Sequence, residues 1–286
     1  MQRRCSGVLR SRRPPCEVSR ASPASVRAGE RRDLPLTKRW LPTVGATPSL
    51  LLRGAIGIWR SAAFRISWTH PLPLPDDLIA CDSPTGLRLL AESAFAANYN
   101  SLSGNFESQS HPASCGVASC VVVLNALRGS HPRLTQSTFF TRTTGKKQVR
   151  GWLRIMFLKM TFPGMPLAQL AAWLRAHGAE ATAFYASDVS LDSFRAMAKQ
   201  SLSTEGEFML VNYQRASLGQ QAMAHISPLA AYHAGMDRLL VLDVARYKYP
   251  PVWVPTERLW RAMNTVADKT SGKTRGFVLV RGARFG

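Results

Sequence analysis

The sequence predicts an α+β fold, a helical lobe followed by an antiparallel-sheet lobe, with a cleft between the two. Two observations lead there. Apolar residues first recur at helical spacing and then, past a second amphipathic segment ending near Lys199, give way to short runs of β-type residues. Helices followed by strands is the order of α+β domains. With 286 residues, 45% apolar and 9% aromatic, the chain can bury a core of that kind.

The elements follow in chain order. Residues 1–72 read as a basic N-terminal extension, disordered or a targeting segment, rich in Arg, Ser and Pro and without apolar period. The composition suits an organelle presequence, whereas the apolar run Leu50 to Trp59, broken by Arg53, suits an export or anchor signal. The localisation is therefore unassigned, although the domain beyond suits a reducing cytoplasm. HPLPLP, from His70 to Pro75, is a proline-spaced linker, and residues 73–286 form the folded domain. CGVASCVVVLNALRG opens at Cys115, is apolar on most faces and closes on Gly129, which predicts a buried helix with a glycine C-cap. Leu167, Leu170, Ala171 and Leu174, with Gly178 behind them, predict an amphipathic helix and its stop. A second such helix is expected over 191–199. Strands are expected over 208–213, 225–232, 239–244 and 277–280, with a helix over 257–263 before the last. KKQVRGWLRIMFLKM, residues 146–160, is basic and amphipathic; it suits a membrane-surface contact or a segment lying against the domain.

Charge and cysteine usage narrow the function. The net charge is +20, but residues 1–75 hold 14 Lys and Arg against 3 acids, and the remaining chain 23 against 14. Over half the surplus thus lies outside the domain, which carries no basic helix and no aromatic stacking strip, so no nucleic-acid partner is expected. No window reaches the roughly 18 apolar residues of a membrane span. The five cysteines, Cys5, Cys16, Cys81, Cys115 and Cys120, form no CxxC pair and have no histidine at finger spacing. A disulfide framework and a structural zinc site are not expected, which leaves the case of a single reactive cysteine in a reducing compartment.

Cys115 is the candidate, because unpaired N–H groups and the dipole at a helix start favour thiolate. Cys120, buried deeper in the same helix, reads as structural. Gln109, six residues before Cys115 in QSHPASCG, stands where papain-like cysteine hydrolases carry an oxyanion-hole glutamine. His225 opens the strand AHISPLAAY and Asp243 closes the next, so a hairpin turning near Gly235 brings both to one sheet end. There Asp243 can hold the imidazole while His225 faces the thiol. Each residue alone has an ordinary reading, a core thiol or a satisfied strand histidine; the set is what points to chemistry.

The strings SQSHPASCGVAS, VVVLNAL, AHISPLAAY, DVARYKYPPVWVP, LWRAMNT and GKTRGFVLV, in that order from about Leu74 onward, resemble the phytochelatin synthase family, the glutathione γ-glutamylcysteinyltransferases. The resemblance implies a papain-like fold, with Cys115 as nucleophile, His225 as general base and acid, Asp243 orienting it and Gln109 as oxyanion donor. It implies that Asp268 and Arg275 hold the γ-glutamyl end of glutathione, where spacing alone suggests a solvated turn pair, and that Arg246 lies near the second substrate. The implied reaction cleaves the Cys–Gly bond of glutathione, releases glycine and passes γ-Glu-Cys to a second glutathione, as in heavy-metal detoxification. Cadmium or zinc enters as an activator or as a glutathione-thiolate co-substrate, with no fixed metal ligand and no tightly bound cofactor. Glutathione and its metal thiolates are the expected partners, and a homodimer is left open. The chain resembles the short bacterial-type form, which leans toward hydrolysis; the alternatives are thus a glutathione deglycylase and a catalytically inactive metal-thiolate-binding module.

Overall fold

The protein is described here from a computed structural model over residues 71–129, 133–140, 165–267 and 271–282. The expectations for residues 1–70, for the 146–160 segment and for Asp268 lie outside these residues.

Strand β1 (Ile79–Ala80) leads into α1 (Pro84–Ala91) and α2 (Tyr99–Gly104), followed by α3 (Cys115–Arg128) and α4 (Leu167–Ala176). Then come β2 (Ala179–Tyr185), α5 (Leu191–Ser203), β3 (Glu207–Gln214), β4 (Ala224–His233), β5 (Arg238–Val241), β6 (Val252–Pro255), α6 (Thr256–Met263) and β7 (Gly276–Gly282). The strands form a seven-stranded sheet in the order β1-β6-β5-β4-β3-β7-β2, antiparallel at every pairing. The α+β class is as expected. The strict succession of helices and then strands is not, because β2 precedes α5 and helices pack against both faces of the sheet.

The alternation along β3 shows how the sheet is covered. Phe208 and Leu210 enter one apolar core with α3 and α4, while Met209, Val211 and Tyr213 enter another with α5 and α6. A strand buried on both faces reads as a continuous apolar run, which is how FMLVNY appears in the sequence. β2 escaped the sequence reading because AEATAFY spends three positions on alanine, a weak strand former. Its seven residues pair with β7 along their whole length, from Ala179 opposite Gly282 to Tyr185 opposite Gly276. A side chain at Gly276 would stand 2.0 Å from the Phe184 carbonyl oxygen, so this pairing requires glycine there.

α3 begins at Cys115 and is followed by Gly129 at φ +59°, as its sequence predicted. Every residue from Cys115 to Asn125 is buried, which lets a helix with three successive valines form despite their modest propensity. Asn125 holds the chain beyond it in place: its side chain donates to the Leu134 carbonyl and accepts from the Leu134 N–H, at 2.9 and 2.8 Å. The helix is fastened to β4 by the Ser119 hydroxyl, which donates to the Ile226 carbonyl at 2.9 Å. The β4–β5 connection turns through Ala234–Met236, at Gly235 as expected, and its left-handed residue is Asp237 (φ 47°). β5 ends at Val241: the Leu242 N–H still donates to the Pro228 carbonyl of β4, but proline has no N–H to return the bond, so Asp243 lies just past the strand instead of closing it.

Candidate active site

The first turn of α3 and the start of β4 meet. At the helix N-terminus Cys115 is only 8% exposed, and its thiol lies against the backbone N–H groups of Ile226 and Gly116, the former one residue beyond His225. Burial pushes this thiol above its ordinary value, against the pull of those N–H groups and of the Arg215 charge. The expectation of a thiol lowered by the helix start is thus reversed in the resting site: the helix end contributes, but desolvation is larger.

His225 Nε2 lies 2.9 Å from Asp243 Oδ1, and both residues are buried. Because an ionised carboxylate only accepts, Nε2 carries the proton and Nδ1 keeps its lone pair. Burial, and after it the Arg215 charge, hold the imidazole down at about 4, while Asp243 pulls the other way. Burial alone would raise the Asp243 carboxyl; the Arg215 and His225 contacts instead hold it well below the usual carboxylate range. At neutral pH the site therefore rests as thiol, neutral imidazole and carboxylate.

Arg215, which follows β3 directly and is 1% exposed, was missed by the sequence reading. Its Nη2 donates to Asp243 Oδ1 at 2.8 Å and stands 2.7 Å from Oδ2, the second being an ion-pair contact poorly directed for a hydrogen bond. Its Nη1 donates to Gln220 Oε1 at 2.8 Å, and its guanidinium lies 4.9 Å over the Tyr249 ring. Asp243 Oδ1 also accepts the Ala245 N–H at 2.8 Å. Lys248, equally buried, donates to Gln221 at 2.8 Å, and burial with the neighbouring Arg215 brings it down to about 8. The one sequence signal for Arg215 is its place at the end of an apolar strand. Its bearing on His225 rests on the β3–β4 register, which pairs Tyr213 with His225.

The other expected residues divide. Gln109 is buried and bonded through its backbone N–H to the Val244 carbonyl at 2.7 Å, next to Asp243. Its amide nitrogen donates to the His111 and Pro112 carbonyls and to the Tyr247 hydroxyl at 3.1, 3.2 and 2.9 Å, while Oε1 has no hydrogen-bond partner. Arg275 lines an open cleft, with Met165, Asn212, Ala224, Lys273 and Thr274 among its neighbours. Ala224 adjoins His225, and Met165 packs so closely on Gly116 that a side chain there would meet its thioether within 2.8 Å. Two residues of the cleft wall thus adjoin His225 and Gly116. Arg275 Nη1 itself donates to Thr265 and Val266, at 2.8 Å to the Thr265 hydroxyl. Arg246 is exposed and stacks 4.6 Å over the Phe106 ring. Among the described residues no group of three or more His, Cys, Asp or Glu is arranged to hold a metal, and no helix is long and apolar enough to cross a membrane.

The structure thus places a buried thiol at a helix start, against the residue that follows a histidine fixed by a carboxylate. The phytochelatin synthase family model matches residues 69–277, well over half of the chain, and the chain belongs to that family. It is similar to "Glutathione gamma-glutamylcysteinyltransferase 1" of Lotus japonicus, 37% identical over 182 residues, 61% of this chain and 34% of that protein. The Arabidopsis thaliana protein of the same name is 36% identical over 175 residues, 61% of this chain and 35% of the relative. "Glutathione gamma-glutamylcysteinyltransferase" of Schizosaccharomyces pombe is 30% identical over 255 residues, 86% and 60% of the two chains. This chain spans about a third of the length of the plant relatives.

Proposed function

We propose that this protein is a glutathione γ-glutamylcysteinyltransferase working through a papain-like Cys115–His225–Asp243 triad. The observation that carries the reading is the buried His225–Asp243 pair, 2.9 Å apart, at the strand end against which the Cys115 thiol packs.

With the site resting neutral, His225 Nδ1 takes the thiol proton as Sγ attacks the Cys–Gly carbonyl of glutathione. The Asp243 carboxylate stabilises the imidazolium so formed. The oxyanion falls to the Cys115 N–H, a first-turn donor without an intrahelical acceptor, and to the Gln109 amide. The two amide protons of Gln109 serve three neutral acceptors at rest, so a developing oxyanion, as the charged acceptor, draws one away. His225 then protonates departing glycine, leaving a γ-glutamylcysteinyl thioester on Cys115. A second glutathione amine resolves it to a (γ-Glu-Cys)₂-Gly chain; water resolves it to γ-glutamylcysteine. Arg275, with Asp268, is assigned to the γ-glutamyl end, consistent with its place in the cleft wall, and Arg246 to the second substrate. Cadmium or zinc enters as glutathione thiolate, a soft-ligand complex, and so belongs to the substrate.

The test is mass spectrometry of the protein with glutathione, with and without cadmium. Free glycine, longer γ-Glu-Cys products and a γ-glutamylcysteinyl adduct on Cys115 are expected, with Cys115→Ala lowering glycine release by about 10³-fold or more. γ-Glutamylcysteine as the sole product makes the protein a deglycylase. Metal–glutathione binding without any product makes it a binding module.

A further inference from the structure

We propose that Arg215 is a positioning residue of this site: it holds the Asp243 carboxylate through the oxygen that also meets His225, so that Asp243 presents that one fixed oxygen to Nε2 and His225 keeps Nδ1 as a proton acceptor for Cys115. The proposal rests on the triad reading above and adds to it a residue outside the triad.

The geometry argues for a dedicated role. A guanidinium 1% exposed is costly to bury, and here all its described partners belong to one purpose-built pocket. Asp243 takes Nη2 at 2.8 Å, Gln220 takes Nη1 at 2.8 Å, and the Tyr249 ring covers the face at 4.9 Å. With two independent anchors besides the carboxylate, the guanidinium cannot rotate with Asp243; the carboxylate must conform to it. Asp243 Oδ1 thereby meets three donors, His225 Nε2, Arg215 Nη2 and the Ala245 N–H, all between 2.8 and 2.9 Å. An oxygen so shared gives His225 only part of its charge. That is the useful balance. A carboxylate bonded to His225 alone would favour the imidazolium before substrate arrives, and a protonated ring cannot accept the thiol proton.

The charged and titratable groups of this cluster come from several elements, with Tyr247 and Tyr249 on the chain past Asp243. Asp243 lies past β5, Arg215 past β3, Cys115 on α3, Lys248 in the chain before β6, and Tyr213 on β3, its ring edge-on to the imidazole at 5.7 Å. Arg215 and Lys248 oppose protonation of His225; Asp243 is the group favouring it. Removing the Arg215 charge therefore lets the His225–Asp243 pair take up its proton at higher pH.

The experiment compares wild type, Arg215→Gln and Arg215→Lys in the full chain by two readouts. The first is the pH profile of glycine release from glutathione; the second is the His225 ring titration by NMR of histidine-labelled protein, assigned with His225→Gln. In Arg215→Gln the His225 titration and the acid limb should both rise above about 4 while staying below the ordinary 6.5, because burial remains, with kcat about 10²-fold lower. Arg215→Lys, which keeps the charge but not the fork, should leave the acid limb near wild type and recover part of kcat. An acid limb and ring titration unmoved in Arg215→Gln would overturn the proposal, whatever happens to kcat, because a merely structural residue lowers the rate without shifting the limb. If Arg215→Gln does not fold, the wild-type ring decides: titration at 6.5 or above overturns the proposal, and titration near 4 together with an unshifted limb in Arg215→Lys supports it. The NMR readout needs no substrate. A wild type inert toward glutathione would therefore defeat the functional reading separately from the clamp.

Discussion

At one end of β4, His225 shares Asp243 with Arg215; at the other, His233 meets Glu92 while Arg195 clasps Asp237. The ingredients match, and so do the distances: Arg195 Nε and Nη2 each stand 2.9 Å from the Asp237 carboxylate, against 2.7 and 2.8 Å for Arg215 and Asp243. The surroundings do not. The side chains of Arg215 and Asp243 are 1% and 0% exposed, those of Arg195 and Asp237 24% and 40%. In water the outer pair is a brace for the β4–β5 turn, with the Tyr232 hydroxyl donating to the same carboxylate at 2.9 Å. Out of water the same pairing becomes a constraint that sets protonation states, because no solvent screens it. Burial, more than the choice of residues, makes one end of the strand a site.

Substituting the two aspartates in parallel sharpens this most. Asp243→Asn should lower glycine release by about 10²–10⁴-fold and destabilise the fold by about 3–5 kcal/mol, since it strands the Arg215 charge in the interior. Asp237→Asn keeps a residue tolerant of the left-handed turn and should cost about 1 kcal/mol or less, with activity unchanged. Urea unfolding and the glycine assay read both; equal losses at the two ends would break the comparison.

A second contrast lies in the pH dependence of stability. His225 in the folded chain is held at about 4, below its ordinary 6.5, so between those values the unfolded chain binds a proton that the folded chain refuses. Stability should be full above about 6.5 and fall as pH drops toward 4, and His225→Gln should remove this part of the slope. Asp243, held below its ordinary 3.8, adds a further loss only on acidification below that value. Melting temperatures from pH 7.5 to 4 check the sign; a slope identical in His225→Gln would show that the buried ring is not its source.

The smallest effects belong to the outer end. Arg195→Ala should cost about 0.2–1 kcal/mol, less at high salt. His233→Gln removes the ring nitrogen that accepts the Met236 N–H at 3.1 Å, and should cost no more than about 1 kcal/mol, with no change in glycine release.

Much of this architecture can be read before any coordinates. The α3 boundaries, the strand bearing His225 and the helix after β6 are legible because each carries an unbroken apolar period and a clear stop. β2 is not legible: its alanines have no preference of their own and become a strand by pairing with β7. The turn near Gly235 is legible, but its left-handed residue is not: Asp237 takes that backbone with its carboxylate held by Arg195 and Tyr232. At the site, Cys115, His225, Asp243 and Gln109 stand out through residue type and spacing. Arg215 and Lys248 do not, because a basic residue in a sequence carries no sign of whether it will be dry.

By itself, then, the sequence determined the α+β class, the family, and the positions of a thiol, an imidazole and a carboxylate on successive elements. Those are matters of period, order and residue type, all local along the chain. Only the tertiary structure decided that the helices flank both faces of one sheet, that the Cys115 thiol rests protonated, and that Asp243 divides its charge between His225 and Arg215. Each of these turns on desolvation and on contacts between residues far apart in the chain, and neither quantity exists until the chain has folded.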